Sequence, residues 1–354
     1  MKHTRLLIFV LGLLFNAGLQ AQSPQGRTTA TIIADALAQL PADNQKNYNQ
    51  IIGDLVSTGE EGLLELIGRL NPPGKESNEV VEFAISGWGA FVSNNKEQRA
   101  VAAATFARAL KEPRDKEVKA HLIRQLRKIA TNEQIGTLSA FLQDDYLGDD
   151  AAQALVSIGS EGANEALLGA LEEATGEQAR LNLVNALAQS NYQKAEPVLL
   201  NLLNSNPAEP LQRVLLHALA NVGTKESLKV LRDAAARSGY TYTKENAVAS
   251  YIALLSRLNE SDAEQVRKEA NKLVMIASKQ GNQGLRSAAA MLLLQQGNKK
   301  ATALLKDALS DGNVVYLSSL LNAYPYENEK KAKALLLKKL ASSKSPGVQT
   351  TLIY

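Results

Sequence analysis

The sequence predicts an all-α protein, a right-handed α-solenoid in which pairs of helices stack one after another along the chain. Three observations carry this expectation. The 354 residues are rich in Ala, Leu, Asn, Gln and Lys, and aromatic residues make up only 5%, which is the composition of a helix former. No alternating run of Val, Ile or Thr bounded by turn residues marks a half-buried strand. A unit of amphipathic helix, stop and second amphipathic helix also recurs, at a period of roughly 30 to 40 residues.

The unit is clearest in QRVLLHALANVGTKESLKVLRDAAARSG, residues 212–239. Val214, Leu215, Leu216, Leu219 and Val222 recur three and four apart, which places them on one helical face. Gly223 is expected to end that helix in the left-handed conformation. Thr224 offers a side-chain oxygen to the first amides of the next helix, whose apolar face is Leu228, Val230 and Leu231. Residues 151–173 repeat the pattern with a stop at Gly159 and a Ser160 cap. Residues 179–203 break at Ser190 and place Pro197 in a first turn, where proline is tolerated. Residues 285–309 break at Gly297. The spacing leaves room for one more break near Asn259, before an expected capping box from Ser261 to Glu264. Further boxes are expected at Thr58–Glu61 and Thr131–Gln134. One such pair of helices cannot bury both of its apolar faces. Stacked pairs can, each repeat contacting only its neighbours.

These segments resemble HEAT repeats, in the recurring Arg/Gln-x-x-Leu-x-x-x-Leu-Ala-x-x-Gly followed by Ala-x-x-x-Leu-x-x-x-Leu. Arg180 with Leu183 and Leu187, and Arg213 with Leu216, Leu219 and Ala220, carry the first half. The resemblance covers residues 120–342 and implies an architecture, not a ligand. Residues 30–119 read as five less regular helices, with the loop Asn71-Pro72-Pro73-Gly74-Lys75 between the third and fourth. We read them as a divergent N-terminal cap. Their segments TIIADALAQLPA, STGEEGLLELI and NPPGK resemble the N-terminal helical region of large secreted proteins of Gram-negative bacteria. Those proteins carry a C-terminal domain related to 3-keto-disaccharide hydrolases. The resemblance implies sugar chemistry in a domain that this sequence does not contain, so no catalytic residue carries over. Residues 344–354 restart a helix with Ser345 as cap and Pro346 at its first position, then stop in mid-unit. The expected organisation is therefore 30–119 as cap and 120–354 as HEAT-like repeats with the last incomplete, in a chain that is a fragment of a longer protein.

The N-terminus reads MKHTRLLIFVLGLLFNAGLQAQS. Lys2 and Arg5 precede an apolar run, Leu6 to Phe15, that is short for a membrane span. Small residues and Leu19-Gln20-Ala21 follow. This is the pattern of a secretory signal peptide over 1–21, with 22–29 a flexible segment and the mature chain periplasmic or extracellular. No other run is apolar and long enough to insert into a membrane. The absence of cysteine excludes disulfides, thiolate metal sites, a cysteine nucleophile and a lipoprotein anchor. The net charge of +3 includes Lys2 and Arg5, so nothing pulls the mature chain toward nucleic acid.

The residues that could carry chemistry are sparse. His3 leaves with the signal. His121 and His217 stand about three repeats apart, which argues against a triad or a zinc site. His217 is expected on a helix-packing face. Asp144, Asp145, Asp149 and Asp150 share a loop whose spacing is not that of a calcium loop, and Asp149 is expected to cap the helix that follows. Residues 93–128 hold ten basic and four acidic residues, and 129–179 hold ten acidic and no basic ones. These blocks read as solvated helix faces. No phosphate loop is present, and no cofactor or metal is expected. Among the few aromatics, Tyr240 with Tyr242 and Tyr324 with Tyr326 fall in loops. There they can stack on sugar rings, anchor a protein partner or plug gaps between repeats. Trp88, between Gly87 and Gly89, reads as core. The expected function is a non-catalytic scaffold that binds a protein, a glycan or a companion C-terminal domain. The alternative is the helical part of a carbohydrate-active enzyme.

Overall fold

A computed structural model describes residues 26–296, 301–324 and 329–353. Among these residues twenty α-helices and two short 3-10 turns make up the regular structure, with no strand. The architecture is an α-solenoid. The chain divides into two compact units, residues 1–170 and 171–354. The signal-peptide pattern, the stop at Gly297 and Tyr326 lie outside the described residues.

The first unit contains α1 (Thr29–Gln39), α2 (Gln45–Ser57), α3 (Gly59–Gly68), α4 (Glu79–Val92), α5 (Lys96–Ala109), α6 (Lys116–Ile129), α7 (Ile135–Ser139) and α8 (Gly148–Ile158), and α9 (Glu161–Glu173) contains the division after residue 170. α1 to α5 are the five helices expected between 30 and 119. α2, α4, α6 and α8 pack each on the next, and α1, α3 and α5 form the second layer. Leu55, Leu66, Ile85, Phe106, Leu122 and Leu126 are fully buried between the layers. The Pro72–Pro73 loop is closed by one side chain: Asn78 Oδ1 accepts from the Asn71 N–H, and Asn78 Nδ2 donates to the Asn71 carbonyl, both at 2.8 Å.

The second unit follows the same plan. Its helices are α10 (Glu177–Gln189), α11 (Glu196–Asn204), α12 (Glu209–Val222), α13 (Lys225–Arg237), α14 (Ala247–Arg257), α15 (Ala263–Gln280), α16 (Gln283–Gln295), α17 (Ala301–Asp311), α18 (Val314–Ala323), α19 (Glu329–Ser342) and α20 (Pro346–Ile353). The even-numbered helices again form a continuous row. Leu183, Leu187, Leu215, Leu216, Leu219 and Leu254 are fully buried. The Arg-x-x-Leu-x-x-x-Leu signature thus spells out the core face of each first helix.

Several local expectations hold. Gly159 ends α8 in the left-handed conformation at φ 66°, and Ser160 Oγ accepts from the Ala163 N–H. Thr224 caps α13 through the Glu226 N–H. Gln134 Oε1 accepts from the Thr131 N–H at 3.0 Å. Pro197 sits in the first turn of α11, and Ser345 Oγ accepts from the Val348 N–H in α20.

Other expectations need correction. Gly223 is extended, with φ −62° and ψ 154°. Glycine is needed there for space, because a β-carbon would stand 2.4 Å from the Leu219 carbonyl and 2.6 Å from Ser227 Oγ. The boxes at Thr58 and Ser261 do not form. Both hydroxyls instead donate back to the carbonyl three residues earlier, those of Leu55 and Leu258. Asp149 lies inside α8, whose N-cap is Leu147. The loop before it is ordered by Asp144, whose carboxylate accepts from the N–H groups of Tyr146 and Leu147 at 2.8 Å. His217 is exposed, not packed, and bonds to Asn221 one turn along.

In the second unit, buried polar side chains clip each repeat to its neighbour. Glu196 accepts from the Thr224 N–H at 2.7 Å and from Ser227 Oγ at 2.5 Å. Arg257 donates to the carbonyls of Ala220 and Gly223. Asn259 donates to the Leu292 carbonyl at 3.0 Å. Glu269, its side chain 3% exposed, accepts from Tyr251 Oη, Arg232 and Gln265. Arg286 pairs with Asp307 and Asp311 and lies 4.1 Å above the Tyr316 ring. Burying a polar group is costly unless it is bonded, and Glu196, Asn259 and Glu269 are each bonded across a repeat boundary, whereas the carboxylates of Arg286 lie in its own repeat and only the Tyr316 ring belongs to the next. The bonds across boundaries therefore set the register of the stack.

Candidate functional site

The even-numbered row of the first unit carries a cleft of about 770 Å³ between α4 and α6, with Ser157 of α8 at its margin. Both helices are built for this place by their sequences. α6 begins at Asp115, whose carboxylate accepts from the Glu117 N–H at 2.9 Å. It ends with Arg127 and Lys128 in its last turn, where cations complement the helix dipole. Val118, Leu122, Ile123, Leu126 and Ile129 face the core. Arg124, Arg127 and Lys128, spaced three and four apart, face out. α4 opens with Glu79 and Glu82 in its first turn, the matching choice at a helix start.

The two helices run in the same direction. Glu82 lies 3.9 Å from His121 Nδ1, and further along a β-carbon on Gly89 would stand 3.6 Å from Gln125 Oε1. Glu79 and Glu82 therefore mark one end of the groove, and Arg127 and Lys128 the other. At 1.5 Å of rise per residue these ends are roughly 15 Å apart.

His121 and Gln125 form the floor, 7% and 3% exposed. Lys128 Nζ donates to Gln125 Oε1 at 3.2 Å. The other end of the same amide, Nε2, lies 3.4 Å from His121 Nε2 and donates to it, which leaves the imidazole proton on Nδ1, toward Glu82. Burial pushes the His121 pKa down to about 4, and the charges of Arg124 and Lys128 push the same way. The imidazole is thus neutral at physiological pH. Arg124 is held by Asp150 at 3.0 Å. Arg127 and Lys128 pair with no carboxylate among the described residues.

Phe83 lines the cleft, and Phe91, on the same helix, lies outside its lining. Phe83 and Phe91 are 43% and 44% exposed. Phe83 meets Tyr48 of α2 edge to face at 5.6 Å. Phe91 lies over Gly53, its ring 3.5 Å from where a β-carbon would stand. Gly87 brings α2 and α4 together beneath them, since a β-carbon there would meet Ile52 and Tyr48 at 2.7 Å.

The aromatic residues singled out from the sequence fall elsewhere. Trp88 is 3% exposed in the core of the first unit, and Tyr324 is 5% exposed in the second; neither is presented to a ligand. Tyr240 and Tyr242 share one loop of the second unit. Tyr240 is half-buried with a left-handed backbone at φ 58°. Its hydroxyl pKa is raised by burial and by nearby Glu269. Tyr242 is 85% exposed. The loop is pinned by Gln280 to the Gly239 carbonyl and by Asn282 to the Tyr240 carbonyl. The cleft was not singled out from the sequence. Its sequence signal was the basic block of 93–128.

The sequence model of the family described as HEAT repeats matches residues 164–252. No curated protein matches the sequence. The family match spans 89 of the 354 residues and, together with the stacked helices, supports a HEAT-like helical repeat architecture. Among the described residues no helix is long and apolar enough to cross a membrane.

Proposed function

We propose that the protein is a secreted, non-catalytic scaffold whose first unit holds a polypeptide partner in the α4–α6 cleft. The observation that carries this reading is the uncovered groove itself. Half-exposed Phe83 lines it beside Arg127 and Lys128, which pair with no carboxylate among the described residues. Aromatic anchors beside arginine are what protein interfaces favour. His121 Nε2 is engaged by Gln125 and the ring is buried, which suits a floor better than a general base. Secretion is supported by the sequence of residues 1–21.

A glycan remains the second reading, favoured by the 85% exposure of Tyr242 on a pinned loop. A role as the helical part of a carbohydrate-active protein rests on the resemblance of residues 30–75. The test is to immobilise the chain, challenge it with envelope extract, identify a retained polypeptide and titrate the purified pair by calorimetry. The scaffold reading expects saturable binding, an unaltered mass for the partner, and an affinity unchanged by the Tyr240→Ala/Tyr242→Ala double variant. Chemical conversion of the bound molecule would refute it. Loss of binding in the tyrosine variant would move the surface to the loop.

A further inference from the structure

Resting on the scaffold reading, we infer that the occupant of the α4–α6 cleft is an acidic polypeptide segment. It would dock in one direction, with an apolar side chain on Phe83 and a carboxylate a few residues further on against Arg127 and Lys128.

The argument is one of complementary charge and length. The groove is dipolar, with the Glu79 and Glu82 carboxylates at one end and two cations without carboxylate partners at the other. A chain docked with its negative end toward Glu79 would meet like charge, so only one direction is favourable. The groove is roughly 15 Å long at helical rise, which an extended segment of about five residues spans. Phe83 stands one residue from Glu82 and presents a ring edge-on to Tyr48, so the apolar contact belongs at the acidic end. Lys128 is held in place by Gln125, and Gln125 by the neutral His121. The cationic end is thus ordered before a ligand arrives, which lowers the entropic cost of binding. A neutral glycan would leave the two cations facing no charge, and so fits the groove less well.

The probe is a fluorescein-labelled peptide in which Leu is followed, after three Ala, by a Glu-Glu pair, with the label on a spacer at its N-terminus. Fluorescence anisotropy with the full chain should give saturable binding. Affinity should fall about ten-fold or more in the Arg127→Glu/Lys128→Glu double variant. It should fall similarly when the peptide Glu pair becomes Gln, or when its Leu becomes Ser. The two substituted side chains are exposed, and unchanged far-ultraviolet circular dichroism checks that the variant is folded. Equal affinity for the Gln or the Ser peptide would overturn the placement of its charge and of its apolar side chain. Absence of binding by the acidic peptide, or displacement of it by an acidic oligosaccharide but not by unlabelled peptide, would overturn the acidic-peptide assignment. The scaffold reading would survive either result if the calorimetric pair from the extract still bound, so the two failures are distinguishable.

Discussion

His121 is the residue at which stability and the proposed site meet. It is 7% exposed, and burial holds its pKa at about 4 against the ordinary 6.5. Between those values the unfolded chain takes up a proton that the folded chain excludes. The contribution is therefore complete above pH 6.5 and is lost as the pH falls through the window, by up to about 3 kcal/mol. The His121→Leu variant removes this term, so its denaturation midpoint in urea should fall less than that of the wild type between pH 7.5 and pH 4.5. Parallel pH profiles would show that the ring is not excluded from charge in the way its surroundings imply. The sequence alone did not reveal this role. A histidine at a helical position reads the same whether it is buried under Lys128, as His121 is, or exposed like His217. Only the neighbouring helix decides.

At the scale of the element, the helices were legible and several of their ends were not. Leu183, Leu187, Leu216 and Leu219 marked the core face of α10 and α12 through their spacing alone, because helical periodicity survives any tertiary context. Gly223, Thr58 and Ser261 misled because each offers more than one satisfactory local bond, and packing chooses among them. Gly223 was read as a left-handed stop, yet its constraint is the 2.4 Å that a β-carbon would leave to Leu219. The clips between repeats were also invisible in sequence, being bonds between residues 28 to 37 positions apart. Arg286 shows the energetic character of a buried charge. Its side chain is 4% exposed and meets Asp307 and Asp311. Stripping a buried charge of its partner costs up to about 3 kcal/mol, less here because Asp307 and Asp311 are 49% and 32% exposed, whereas replacing the charge by an apolar chain of similar volume is often neutral. Thermal denaturation should rank Arg286→Met above both Arg286→Ala and the Asp307→Ala/Asp311→Ala pair. Equal losses in all three would mean that the ion pairs, not the filling of the site, hold α16 against α17 and α18.

At the scale of the molecule, stacking fixes the architecture and leaves the function to what the stack does not cover. The repeat pattern predicted an all-α solenoid, and the chain is one. Of the aromatics singled out from the sequence, Trp88 lies in the core as it was read, and Tyr324 was absorbed by the core too, while Phe83 and Phe91 were left at the surface. Composition could not separate these cases, because exposure depends on which helix lies opposite. Gly53, a small residue beneath Phe91, is what leaves that ring on the outside. The two histidines that follow residue 21 give the account its sharpest test. His121 floors the cleft of the first unit, and His217 is exposed in the second. Proton NMR should resolve both imidazoles during titration with the acidic peptide. The account predicts that the His121 resonance shifts and its pKa rises from about 4 as a carboxylate arrives, while His217 stays fixed as an internal reference. A saturating titration that leaves His121 unmoved, or moves His217 alone, would contradict it.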